Sequence, residues 1–133
     1  MARTTSGGCL CDACRYATDA PPINVRVCHC RKCQRAIGAS FNARVLVPLD
    51  ALEISGPVAW YPSSKELRRG FCPRCGTSLF SERQANNTIG ITLGSLDDPN
   101  AFVPSVQVWM SSKQAWLALN DPLTCYTDAA PAR

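Results

Sequence analysis

The chain has 133 residues, 46% of them hydrophobic and 18% charged, with a formal net charge of +4. That length suits one domain with a modest core, and no apolar run approaches the ~18 residues a membrane span needs. The charge is too mild for a nucleic-acid-binding stripe, and Met1 to Gly7 lack the apolar stretch of a secretory signal, so a cytoplasmic protein is expected.

Residues 1–6 read as a frayed terminus, and Gly7-Gly8 as permissive backbone leading into a metal knuckle at Cys9. Short strands are predicted over 15–18 and 23–27, around a turn at Pro21-Pro22. A short helix is expected after Cys33, running through Ile37 and stopped by Gly38. Residues 41–47 alternate as a half-buried strand does and end at Pro48. Further strands are predicted over 52–55, 58–61, 67–71, 88–93 and 106–110. Turns at Gly56-Pro57, Asp98-Pro99 and Asn120-Asp121-Pro122 divide them. A loose tail is expected from Thr127. Weak helical periodicity and frequent turns together predict a mainly β chain.

Nine cysteines dominate the chemistry, grouped as Cys9, Cys11 and Cys14, then Cys28, Cys30 and Cys33, then Cys72 and Cys75, with Cys125 apart. The count is odd, and Cys-x-Cys neighbours are poorly placed to bridge each other. In a reducing compartment such pairs hold metal rather than disulfides. Zinc asks for four ligands in a tetrahedron and takes thiolates readily. Counting favours one closed four-sulfur site and a separate three-sulfur site, with one or two thiols left over, although spacing alone leaves the partners of Cys72 and Cys75 undecided between the two upstream clusters. Thiolates leave such sites negative, and Arg26, Arg31, Lys32, Arg35, Arg68, Arg69 and Arg74 lie near the clusters in sequence, as compensating charge or as a solvated face.

Gly8-Cys9-Leu10-Cys11, Arg15-Tyr16, Cys28-His29-Cys30-Arg31-Lys32-Cys33-Gln34-Arg35, Gly38-Ala39-Ser40-Phe41, Arg69 to Leu79, Gly94 to Pro99, and Ser112-Lys113 with Trp116-Leu117 follow one another in order. This series resembles the glutathione-dependent formaldehyde-activating enzyme family, also known from centromere protein V-type domains, over about residues 7–126. The resemblance implies a single domain over 1–133 with an Mss4-like β-tent of short antiparallel strands stapled by zinc. It places a structural zinc on Cys9, Cys11, Cys72 and Cys75 and a second, catalytic zinc on Cys28, Cys30 and Cys33. It also implies a carbon–sulfur lyase with glutathione as co-substrate and a small thiol–aldehyde adduct as substrate. Three thiolates make zinc a weak Lewis acid for hydrolysis but a good site for a soft thiol. Arg31, Lys32 and Arg35 are then candidates to attract the anionic peptide.

Three departures from the family pattern stand out. Asp12 replaces a usual glycine, Cys14 is an additional thiol, and Gln107 stands where the family often has histidine. His29, between two ligands, is expected to point away from the metal or to act as its hydrogen-bonding support. Cys125 reads as a core thiol, and Trp60, Trp109 and Trp116 as core aromatics, one of them able to line a pocket. Two other readings stay open: a non-catalytic zinc-stapled module for a protein or nucleic acid, and a thiol redox enzyme using an exposed Cys125, as in B-type methionine sulfoxide reductases.

Overall fold

The structure is a computed structural model that describes residues 4–119 and 123–131; the predicted turn at 120–122 lies outside them. Strands β1 (Thr5–Gly8), β2 (Arg15–Thr18) and β5 (Glu53–Ser55) form a small antiparallel sheet ordered β1-β2-β5. The larger sheet contains β3 (Asn24–Cys28), β4 (Asn42–Pro48), β6 (Ala59–Pro62), β7 (Arg68–Phe71), β8 (Ser78–Arg83), β9 (Thr88–Thr92), β10 (Val106–Val108) and β11 (Thr124–Cys125). Its order is β11-β10-β3-β4-β9-β8-β7-β6, antiparallel except that β10 runs parallel to both β3 and β11. The one α-helix among the described residues, α1 (Arg31–Ile37), follows β3. The chain is thus mainly β, a tent of short, mostly antiparallel strands.

Period-two alternation decides which face does what. Val45 pairs with Val25 on one side and Ile91 on the other, Val47 pairs with Ile89, and Ile91 with Phe80. All six are buried, and they form the core with Tyr16 of the small sheet, whose ring meets Phe80 edge-on at 5.4 Å between centroids. Each such aliphatic residue contributes about 1.5–3 kcal/mol on burial. The opposite face of the same strands carries Arg26 and Cys28, Asn42 and Arg44, Gly90 and Thr92, Ser81, and Arg69. That polar face supports the chemistry.

Helix α1 begins two residues before Cys33, not after it, because the Cys30 sulfur caps it by accepting the Cys33 N–H at 3.3 Å. It stops at Gly38, which is left-handed at φ 63° as expected. Strand β8, in the middle of the sheet, has no counterpart in the predicted elements. It buries Glu82 on the core side, where Arg68 of the neighbouring strand binds both carboxylate oxygens at 2.5 and 3.2 Å, and this masks the apolar alternation.

Residues 5 and 6 are not frayed but paired in β1. Gly7 is strand rather than knuckle, and a Cβ there would fall 2.2 Å from the Tyr16 hydroxyl. The segment from Thr127 is not loose either: the N–H groups of Met110, Ser111 and Trp109 donate to the carbonyls of Tyr126, Thr127 and Asp128 at 3.0–3.1 Å. Among the described residues no helix is long and apolar enough to cross a membrane.

Candidate metal centres

The Sγ atoms of Cys9, Cys11, Cys72 and Cys75 all lie within 4.8 Å of one another. Cys9 and Cys11 are 3.7 Å apart and Cys11 and Cys72 3.8 Å. Four sulfurs at ~2.3 Å from a tetrahedral zinc would stand about 3.8 Å apart, whereas a disulfide would bring them to ~2.05 Å. The donor set therefore fits a closed zinc site, and all nine cysteines are free thiols.

The backbone explains how four sulfurs converge. Asp12 takes the left-handed conformation at φ 63°, as its short polar side chain allows, and its N–H returns to the Cys9 carbonyl at 3.1 Å. The Cys14 N–H donates to the Cys9 sulfur at 3.2 Å. Downstream, the Gly76 N–H closes on the Cys72 carbonyl at 2.8 Å. The Thr77 hydroxyl lies 3.2 Å from the Cys75 sulfur, and hydrogen bonds from Thr77 bring that thiol down to about 5. Cys14 is not in the sulfur set; it is buried in the core beside it, and burial pushes its thiol up to about 12.

The second group is Cys28, Cys30 and Cys33, whose sulfurs also lie within 4.8 Å of one another. Cys28 ends β3, Cys30 caps α1, and Cys33 lies in its first turn, so one strand-to-helix junction supplies all three. Among the described residues no other histidine, cysteine or carboxylate joins them. Three donors of this kind fit a zinc with a position left open. Hydrogen bonds from Cys28 and Cys30 hold the Cys33 thiol far below its ordinary range against the effect of burial, with help from Arg44 and Arg69. Guanidinium nitrogens lie 3.7 Å (Arg44) and 3.8–3.9 Å (Arg69) from the Cys33 sulfur.

His29 stays out of the ligand group and is fully buried. Its Nε2 donates to Gln107 Oε1 at 2.7 Å, leaving Nδ1 without a partner. The Gln34 amide ties α1 to its surroundings, donating to the carbonyls of His29 at 2.6 Å and Ser112 at 3.0 Å.

A cavity of about 420 Å³ opens on the polar face of the large sheet, lined by Arg44 and Arg69 with Asn42, Ile37, Phe71 and Phe80 among its walls. The cations at the three-sulfur group are thus not those nearest in sequence. Arg31 is turned to Gln34, Lys32 and Arg35 are exposed, and Arg69 crosses over from the other cluster's neighbourhood. Arg44 and Asn42 were not anticipated. The available signal was their position in the alternating strand, on the side away from Val45.

Cys125, expected in the core, is exposed on β11, where it accepts from Gln107 Nε2 at 3.6 Å; exposure is what the redox reading asks of it. Trp60 is half-buried against Phe80, as expected. Trp109 and Trp116 are surface residues, Trp116 being 71% exposed beside a wide cleft that borders Cys9.

Fold and sulfur geometry together define a β-tent with two cysteine centres. The chain belongs to the glutathione-dependent formaldehyde-activating enzyme family, whose model matches residues 4–112. It is 30% identical over 74 residues to an uncharacterized lyase of Schizosaccharomyces pombe, a match covering 56% of this chain and 54% of that protein, so the chain spans about half the relative's length. A solved Rhodobacter sphaeroides protein structure aligns with a TM-score of 0.58 at 22% identity, over 74% of this chain and 97% of that one, a likeness of fold.

Proposed function

We propose that this chain is a zinc-dependent carbon–sulfur lyase-type enzyme that forms and cleaves S-hydroxymethylglutathione or a similar glutathione–aldehyde adduct. In this reading Cys9, Cys11, Cys72 and Cys75 hold a structural zinc, and Cys28, Cys30 and Cys33 hold a second, catalytic one. The observation that carries it is the convergence of three sulfurs, with no fourth protein donor among the described residues, together with Arg44 and Arg69, which contact the Cys33 sulfur and line a cavity of about 420 Å³.

Zinc bound there supplies a position with high affinity for a soft thiol. The chain's own residues do the rest. Ile37, Phe71 and Phe80 give the cavity apolar walls that displace water. Arg44 and Arg69 offset the negative charge of the cysteine sulfurs. In the forward direction the glutathione sulfur bonds to the aldehyde carbon, the carbonyl electron pair moves to oxygen, and that oxygen gains the proton the thiol gave up. The reverse breaks the carbon–sulfur bond.

The test is a glutathione titration of the wild-type chain and of Cys30→Ser. The variant is expected to lose one zinc per chain and its glutathione affinity while keeping its circular dichroism spectrum. Unchanged binding would refute the proposal. A non-catalytic zinc-stapled module draws on one observation: Gln107, with no titratable proton, is already committed to His29 and Cys125. A single tight zinc and no glutathione binding would favour that reading.

A further inference from the structure

Residues paired across a ladder share a face of the sheet. Arg26 of β3 stands directly opposite Arg44 of β4, and Arg69 of β7 is opposite Ser81, which in turn pairs with Gly90. Three guanidiniums therefore stand on the face that bears Cys28 and Asn42. Like charges directly opposite each other destabilise a sheet. Among the described residues none of the three forms an ion pair with a carboxylate.

The space between Arg44 and Arg69 is kept open by the absence of a side chain. A Cβ on Gly90 would lie 2.8 Å from Arg44 Cδ and 2.6 Å from Ser81 Oγ, and all four residues line the same cavity. Three thiolates on a divalent ion carry one negative charge, so three guanidiniums leave two positive charges over. A thiolate accounts for one of them. A carboxylate matches the other, and a guanidinium fork is the side chain best shaped to hold it.

We propose that Arg44 and Arg69 form a carboxylate subsite over Gly90, through which the cavity selects an acidic thiol over a neutral one of the same size. This rests on the reading that the three-sulfur centre takes a thiol. It adds which end of the ligand the chain recognises and with which residues.

Calorimetric titration of the zinc-loaded chain with glutathione, glutathione diethyl ester and S-methylglutathione tests it. The ester keeps the thiol and loses both acid groups; the S-methyl compound keeps the acid groups and loses the thiol. Glutathione is expected to bind at least about ten-fold more tightly than the ester, as loss of a charge-assisted hydrogen bond implies. Arg44→Gln and Arg69→Gln should each bring the two affinities together, and Arg26→Gln should narrow the gap less. S-methylglutathione reports on the arginines even where a substitution beside Cys33 releases zinc, and its binding should weaken by a similar factor in both glutamine variants.

An ester that binds wild type as tightly as the acid, or a preference that survives both substitutions, overturns the subsite. If Cys30→Ser leaves glutathione binding intact while S-methylglutathione still depends on Arg44 and Arg69, the subsite stands and the thiol reading of the sulfur centre falls.

Discussion

The two cysteine centres gather the same kind of donor atom from opposite kinds of chain separation. The four-sulfur group joins residues far apart in the chain, Cys11 meeting Cys72 across 61 positions, and offers the four donors a tetrahedral zinc asks for. The three-sulfur group comes from one strand-to-helix junction and, among the described residues, offers one donor fewer. A cross-link over a span like the first removes about 4 kcal/mol of chain entropy from the unfolded state. One over so short a loop as the second removes little. Metal at the first should hold the fold, and metal at the second should be free to serve a ligand.

The largest effect is therefore expected at the first centre. Cys72→Ser should cost at least ~4 kcal/mol, because the staple is lost and a buried position gains a hydroxyl. Chemical denaturation should show a chain without a cooperative transition at room temperature. A normal transition would mean that the four-sulfur group is no staple.

Arg68→Ala sets the scale with a site that touches no metal. It strands the buried Glu82 carboxylate and removes a guanidinium 4.1 Å above the Trp60 ring. Breaking such a pair should cost about 3 kcal/mol by urea denaturation, with the zinc content unchanged. Glu82→Gln should cost less, since the arginine it frees is half-exposed.

An alkaline test follows from Tyr16, which burial raises from 10.0 to about 12 and whose hydroxyl bonds to Ser95 at 2.8 Å. The folded chain holds that proton more tightly than the unfolded one. Its contribution is intact below pH 10 and is lost as pH climbs towards 12, by up to about 2–3 kcal/mol. Tyr16→Phe should abolish this part of the alkaline slope, measured as denaturation midpoint against pH. An identical slope in both proteins would show that Tyr16 ionises freely.

The same contrast separates what the sequence reveals from what it hides. The three-sulfur group is legible because Cys-x-Cys and Cys-x-x-Cys spacings are local, whereas the joining of Cys72 and Cys75 to Cys9 and Cys11 comes from the family resemblance and not from spacing. A left-handed Asp12 or Gly38 follows from a single residue's backbone tolerance. Strand 42–48 is legible because Val45 and Val47 alternate with Arg44 and Leu46. Strand 78–83 is hidden because Glu82 is buried by an arginine fourteen residues earlier, a partner no local window contains.

The cations at Cys33 are hidden for a related reason. Arg44 and Arg69 reach it through the register of four neighbouring strands, while the closer Lys32 and Arg35 point to solvent. Proximity in sequence groups the cysteines into local clusters; pairing across the sheet names their surroundings. Gly7 shows the same limit, since the tyrosine hydroxyl occupying its Cβ position comes from the next strand.

The smallest change in stability belongs to the second centre, and it decides the comparison. Zinc should be counted by elemental analysis while a mild chelator is titrated in and circular dichroism is recorded on the same sample. Two ions per chain are expected, the first leaving without any change in the spectrum and the second only as the fold collapses. A chain that holds one ion throughout, or that releases both in a single step with unfolding, would contradict the division of labour between the two centres.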